Sequence, residues 1–430
     1  MTERRIDVPV LTRVEGEGAL FVRIEGEQVA DLRLRIFEPP RFFEKFLEGR
    51  SWKEVPDAVA RICGICPVAY QMSAVHAIEQ AFGVAIPPEI RALRRLYYCG
   101  EWLESHSLHI HLLAAPDFLG YPDADAMQMA RDHPELVRRG MALQGLGNAI
   151  IRLFGGRPVN PVGARVGGFY RAPTRREMDA LQARAEALLP EAEALVRWTA
   201  GLKVPEITRD VPCVSLRHDA EYPMNAGRIV SSRGLDIDAR DFEAHFREFQ
   251  VPHSTALHAH LHGQSYWVGP LPRLNNNLDR LPPATTRLLA ETGIRWPSAN
   301  PYHSIVARAL EMHLALSEAI GLLAGYRPLR QGYVEVTPRA GVGMAATEAP
   351  RGILWHRYAL DGQGLVRVAR IVPPTSQNQA QMEADLRASV QENLSLDDAS
   401  LRSRLEADIR NYDPCISCST HFLRLTVERA

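Results

Sequence analysis

The residues best suited to chemistry in this chain are four cysteines in two pairs, each pair separated by two residues. Cys63 and Cys66 lie in RICGICPVAY, and Cys415 and Cys418 lie in DPCISCSTH, close to the other end. Thiolates are soft, electron-rich ligands, and four of them suit tetrahedral zinc, an iron–sulfur cluster or nickel. Compact zinc modules keep their cysteine pairs close in sequence. Here the fold must bring opposite ends of the chain together around any shared ion. From spacing alone, a structural zinc clip and a redox-active centre stand about even. Cys99 and Cys213 stand alone and are expected to be small buried hydrophobes.

The elements that must position these thiols belong to an ordinary globular chain. It has 430 residues, 46% of them apolar and 23% charged, with 50 Lys and Arg against 51 Asp and Glu. A formal charge of −1 gives no basic field for nucleic acid or anionic lipid. The N-terminal residues lack the apolar run of a secretory signal, and no window is long and apolar enough to span a bilayer. The cytoplasm is therefore the expected compartment. There, paired cysteines favour metal or redox chemistry over disulfides.

Periodicity gives the order of elements. GALFVRIEGEQVADLRLRIFE alternates as strands do, with a turn at Glu25-Gly26. From Ile86 the pattern becomes helical, with Ile90, Leu93, Tyr97, Leu103 and Leu108 on one face before Pro116. REMDALQARAEALLPEAEALVRWTAGL predicts a helix interrupted or kinked at Pro190. HSIVARALEMHLALSEAIGLLAG, NQAQMEADLRASVQENL and ASLRSRLEADIRNY predict three more helices. FGGRPVNPVGARVGGFYRAP, GQSYWVGPLPRLNNN and TPRAGVGMAATEAPRG read as ordered loops rich in Gly and Pro. Without repeats or linkers, the expected fold class is mainly α: a large helical bundle with a small N-terminal β region.

RICGIC and DPCISCSTH resemble the two signature motifs of the large subunit of nickel–iron hydrogenases. The resemblance runs from RVEGEG at Arg13 to His421 and includes FEPPRFFEKFLEGR, SHSLHIHLLAAPDFLG, TEAPRGILWH and IVPPTSQN. The wording is most like the cytoplasmic, bidirectional branch, the alpha subunits of NADP-linked hydrogenases also called sulfhydrogenases, with NAD-linked hydrogenases second. The resemblance implies one large-subunit domain over residues 1–421. It also implies reversible heterolytic cleavage of dihydrogen, with sulfur or polysulfide reduction as a further activity of that branch. Two other readings stay open: a metal-free scaffold subunit of a related respiratory complex, and the four-cysteine zinc protein.

Residue by residue, the resemblance makes Cys63 and Cys415 terminal ligands of nickel. Cys66 and Cys418 would bridge nickel to an iron that carries one CO and two cyanides. Glu15 would take protons from Cys415, although by position alone it reads as a solvated strand-end carboxylate; Glu17 is left as surface. Arg351 would overhang the metals and bond one cyanide, following Pro350 and oriented by Asp413. Pro373 and Thr375 would face the other cyanide. Pro374 stands where the family often has serine, so Thr375 or a backbone N–H must donate. Glu44, the carbonyl of Arg370 and His421 would bind magnesium; Glu44 also reads as a plain helix-surface residue. Tyr70 replaces a histidine common in the family, and Ser105 replaces an aspartate of periplasmic members. His106, His109 and His111, like His76 and His356, are expected to be buried hydrogen-bonding groups rather than ligands.

No further CxxC set and no GxGxxG following a strand is present, so electrons must leave through other proteins. The resemblance implies an iron–sulfur small subunit and a diaphorase pair with FAD and iron–sulfur clusters that meets NADP (or NAD). It also implies nickel-insertion chaperones and a maturation endopeptidase that cuts after His421. FLRLTVERA, residues 422–430, would be the removed extension, or else an ordinary terminal strand.

Overall fold

Alternating apolar residues at the start build an antiparallel meander, β1 (Glu3–Val8), β2 (Gly18–Glu25) and β3 (Gln28–Ile36), with β2 in the centre. This computed structural model describes residues 3–121 and 126–420, so His421 and the extension 422–430 lie outside the described residues. The turn between β2 and β3 is Gly26-Glu27, one residue beyond the Glu25-Gly26 that the sequence suggests.

Helix α1 (Pro67–Phe82) starts immediately after Cys66, with Pro67 in its first turn. Proline suits that position because its missing N–H would be unpaired there anyway. Helix α2 (Pro88–Leu108) runs on through a π-helical turn, His109–Ala114, as the pattern from Ile86 to Pro116 predicts. Helix α3 (Pro134–Gly155) packs along α2. Helix α4 (Arg175–Ala200) opens on a capping box between Thr174 and Glu177. It is continuous through Pro190, so of the interruption or kink that the sequence suggests the interruption does not occur. One proline removes a single ladder bond, and Ala185, Ala192, Leu195 and Val196 keep the buried face on both sides of it.

Helix α5 (Ser304–Gly325), mostly buried over its first four turns, packs against α2 and α4 as the middle of the helical layer. Helices α6 (Pro374–Glu392) and α7 (Asp398–Tyr412) match the last two predicted helices and pack on one another. One apolar cluster extends from the N-terminal meander through the helices to Cys418.

The mainly-α expectation needs correction: the fold is mixed, with 48% helix and 19% strand. The short pair β4 (Phe246–Gln250) and β5 (Leu257–Leu261) packs on α6. A second three-stranded antiparallel sheet comprises β6 (Gly341–Ala349), β7 (Gly352–Leu360) and β8 (Val366–Val372). The sequence suggests a loop over all of β6, because GVGMAATEA is small and shows no alternation. Its small residues let the strand lie directly on α1, where a Cβ at Gly343 would come within 1.8 Å of the Ala77 carbonyl oxygen. The loop reading of GQSYWVGPLPRLNNN also yields in part, to a helical segment at Pro270–Asn276. Among the described residues no helix is long and apolar enough to cross a membrane.

The β6–α1 contact can be tested. Gly343→Val should destabilise the chain by about 3 kcal/mol, because the clash is with backbone and no side chain can turn aside. Thermal unfolding should show a lower Tm; an unchanged Tm would mean that β6 can lift off α1 freely.

Candidate metal centre

The first cysteine pair sits on the turn that leads into α1; of the second, Cys415 caps a short helix that follows α7, Ile416–Ser419, and Cys418 lies within it. Cys66 occupies the cap position of α1, but its side chain does not cap the helix. Glu101 on α2 takes over that duty by accepting from the Val68 N–H at 2.6 Å and the Ala69 N–H at 3.1 Å. The Cys66 thiol is thereby free to face the other cysteines. Cys63 Sγ accepts from the Ile65 and Cys66 N–H groups, each at 3.3 Å, which fixes the first loop.

The four thiols converge. Sγ–Sγ separations are 3.3 Å for Cys63–Cys415, 3.6 Å for Cys66–Cys418 and 2.6 Å for Cys415–Cys418. All four ligand atoms lie within 4.8 Å of one another, and all four residues are buried and free of disulfides. With no oxygen or imidazole among them, they form a donor set for soft metal ions. The two cross-pair separations approach the roughly 3.8 Å edge of a tetrahedron whose metal–sulfur bonds are about 2.3 Å. The residues present therefore fit a thiolate-bound metal centre.

Charge is unevenly shared within the cluster. Burial raises the Cys63 pKa, but hydrogen bonds from Cys415, Cys418 and Cys66, with the nearby Arg351 cation, outweigh it and hold this thiol well below its ordinary range. Burial and the hydrogen bonds with Cys418 and Cys63 push Cys415 well up.

Glu15 meets Cys415 through both backbone and side chain. The two residues form a parallel bridge, and the Ile416 N–H donates to the Glu15 carbonyl at 2.9 Å. Glu15 Oε2 then accepts from Cys415 Sγ at 3.1 Å and from the Ser417 N–H at 3.1 Å. Gly16 follows with φ 88°, and a Cβ there would come within 2.6 Å of Ile416 Cβ. RVEGEG therefore needs its first glycine for this close pairing. Burial first, then the negative Cys63, raises the Glu15 pKa above that of an ordinary glutamate.

Arg351, 2% exposed, is held over the same region by three acceptors. Its Nε donates to the Asp413 carbonyl at 2.8 Å, Nη2 to Asp413 Oδ1 at 3.1 Å, and Nη1 to Ser105 Oγ at 3.3 Å. Ser105 thus still serves as an acceptor for the arginine. Asp413 reaches it from a left-handed conformation, φ 52°, that ends α7. The Pro350 carbonyl accepts from buried Arg273 at 3.4 Å. Pro373 caps α6 and Pro374 begins it. Thr375 Oγ1 accepts from the Cys415 N–H at 3.0 Å, which leaves its own O–H to donate. Tyr70 is buried; that burial, reinforced by the thiols of Cys418, Cys66 and Cys415, holds its phenol well above the usual range.

Glu44 Oε1 accepts from the Ile371 N–H at 2.8 Å, so this carboxylate lies beside the backbone following Arg370. The Arg370 guanidinium turns to Glu243 at 3.0 Å and Glu248 at 3.2 Å. Thr420 reaches the same neighbourhood, its carbonyl accepting from the Arg41 N–H at 2.7 Å.

His106, His109, His111 and His356 are buried as expected, whereas His76 is half-buried. His106 Nε2 pairs with Glu311 at 3.0 Å, His109 Nε2 donates to the Arg410 carbonyl at 2.8 Å, and His111 Nδ1 to the Ser107 carbonyl at 2.9 Å. Burial lowers them to about 4, about 3 and about 4, so all three are neutral. Burial likewise takes His76 to about 4, and His356 Nδ1 lies 2.9 Å from the Tyr358 hydroxyl. Cys99 is buried, whereas Cys213 is only partly so. Sequence reading missed Arg41, whose guanidinium donates to the Ile62 carbonyl at 2.6 Å and also to that of Ser417, tying the two cysteine loops together. It missed Glu101 as well. Neither has a local signal, since each acts across large sequence separations.

Known proteins share both the motifs and the fold. The model for nickel-dependent hydrogenases matches residues 41–136 and 309–421. Sulfhydrogenase 2 subunit alpha of Pyrococcus furiosus is 34% identical over 98% of this chain and 100% of its own. Sulfhydrogenase 1 subunit alpha of the same organism is 33% identical over 98% of each chain. A crystal structure of NAD+-reducing [NiFe]-hydrogenase in the H2-reduced state superposes with a TM-score of 0.85 at 29% identity, covering 97% of this chain and 99% of that one. Near-complete coverage at this identity, on a fold that gathers all four motif thiols, means that the chain belongs to the nickel-dependent hydrogenase family, as a large subunit.

Proposed function

We propose that this chain is the catalytic subunit for reversible heterolytic cleavage of dihydrogen. The observation that carries the proposal is the Glu15 carboxylate 3.1 Å from the thiol of Cys415, inside a buried cluster of four cysteines. A purely structural zinc clip has no use for a carboxylate poised to exchange a proton with one of its sulfurs.

Cys63 and Cys415 would hold nickel terminally, and Cys66 and Cys418 would bridge it to an iron carrying one CO and two cyanides. When bound, this centre supplies the two-electron activation of dihydrogen. The chain's own part is proton management and orientation. Cys415 Sγ holds the proton and passes it to Glu15 Oε2, which burial makes more basic than a surface glutamate and so a closer match to a thiol. Arg351, fixed through Asp413 behind Pro350, presents a constant positive charge to the thiol cluster and would offer donors to one cyanide. The Thr375 hydroxyl, next to Pro373, would donate to the other. Tyr70 fills the space beside Cys418 that a histidine takes elsewhere. Glu44, the Arg370 carbonyl and His421 would hold magnesium and tie the C-terminal segment to the N-terminal region.

We also read residues 1–421 as one domain working in the cytoplasm, with 422–430 removed by an endopeptidase after nickel-insertion chaperones have acted. Electrons would pass to an iron–sulfur small subunit, then through an FAD- and cluster-containing diaphorase to NADP or NAD. The likeness to relatives named sulfhydrogenases supports sulfur or polysulfide as a further acceptor.

Glu15→Gln should keep both metals, measured by elemental analysis, and lose hydrogen/deuterium exchange by about 100-fold or more, the scale of a lost proton-transfer group. Exchange near the wild-type rate would remove Glu15 from the route. Intact-mass spectrometry of the active large subunit should give a chain ending at His421. A mass that includes Ala430 in active enzyme would exclude obligatory cleavage.

A further inference from the structure

A second convergence of metal-binding side chains lies where β5 packs on α6 and shares no residue with the thiol cluster. His253, in the connection between β4 and β5, His258, on β5, and Glu383, on α6, bring their ligand atoms within 4.8 Å of one another. His253 Nε2 is 2.7 Å from Glu383 Oε1, and His258 Nε2 is 3.4 Å from Glu383 Oε2. His258 is 2% exposed; its Nδ1 has no hydrogen-bond partner, and its Nε2 meets only the Glu383 carboxylate at the long distance of 3.4 Å. A buried imidazole so weakly partnered is costly, and an ion bound at Nε2 would give that nitrogen a full partner. The carboxylate is already aimed, because Glu383 Oε1 also accepts from the Leu34 N–H of β3 at 2.9 Å. Such an outer hydrogen bond is what orients a ligating carboxylate.

We propose that His253, His258 and Glu383 form a second metal site for a zinc-class divalent ion. Two imidazoles and one carboxylate are borderline donors, suited to zinc and its first-row neighbours rather than to magnesium or calcium, which prefer oxygen. Tetrahedral bonds of about 2.0–2.1 Å place ligand atoms roughly 3.3 Å apart, so the observed separations need only small side-chain shifts. The His253 and Glu383 side chains are each 20% exposed, which leaves a solvent side where water completes the coordination. The ion would clip β5 and its preceding loop to α6, the helix whose first turn carries Thr375 against Cys415. The site stands independently of the hydrogenase reading, since no ligand is shared.

The test uses the purified, matured holoenzyme with its partner subunits, dialysed against a chelator that leaves nickel and iron in place. Titration with Zn2+ should load one zinc per large subunit beyond that background and raise Tm. Co2+ in its place should give visible bands of a tetrahedral nitrogen and oxygen site without thiolate charge transfer. His253→Ala should weaken Zn2+ binding by about 100-fold or more while nickel and iron content stay unchanged. His258→Ala should do the same where it folds; His253, being partly exposed, gives a variant that does not risk the core. Failure to load zinc, a cobalt spectrum with thiolate charge transfer, or unchanged affinity in His253→Ala would each overturn the site.

Discussion

Everything in this subunit depends on closing the chain's two ends around four buried sulfurs. Cys63 and Cys415 are separated by 352 positions, and looping a flexible chain of that length costs on the order of 5 kcal/mol in entropy. The closure is made on backbone groups, by a strand-like bridge and by arginine side chains that reach carbonyls. Glu15 bridges Cys415, Arg41 spans the carbonyls of Ile62 and Ser417, and Arg410 donates to the Thr12 carbonyl at 3.0 Å. Asp117 pairs with both Arg13 and Arg410, which fixes the strand-like N-terminal segment against the end of α7. Sulfur geometry, carboxylate placement and arginine orientation all follow from that one closure.

Burying thiols that must become thiolates also demands compensating charge. Arg351 and Arg308 both face Asp413, and Arg351 keeps a net cation near the sulfurs because Asp413 is shared between the two. Beneath them, Arg273 joins Glu311 on α5 at 2.6 Å to Glu348 on β6 at 2.7 Å, with its guanidinium stacked 4.2 Å from the Trp102 ring centre. Removing one member of such a buried network costs about 3–5 kcal/mol, because the partner is left charged and alone. These pairs hold the helical layer and the second sheet in the register that the active-site loops require. They act as geometry first and as stability second.

Much of this was legible in the sequence, and the exceptions have physical reasons. The cysteine pairs were legible from residue type and spacing, whereas Glu15, Arg351 and Asp413 were legible only through the family resemblance, since by position alone Glu15 reads as a solvated strand-end carboxylate; the structure brings them together. The long helices were legible because α2, α5 and α7 carry their buried faces at helical spacing. Strand β6 was not, because its burial under α1 selects glycine and alanine, which leave no alternation to see. The interruption expected in α4 does not occur, because the buried face spans the proline. Arg41, Glu101 and the His253–His258–Glu383 group act between segments far apart in the chain, so they exist only once the fold does. His421 and the residues after it lie outside the described structure.

The central claim is that these four cysteines carry a nickel–iron centre with diatomic ligands. Infrared spectroscopy of the mature, partner-expressed enzyme addresses it directly. One CO stretch and two cyanide stretches, shifting together under hydrogen, are the expected result. A fully matured sample with no such bands, and with zinc in place of nickel and iron, would contradict it.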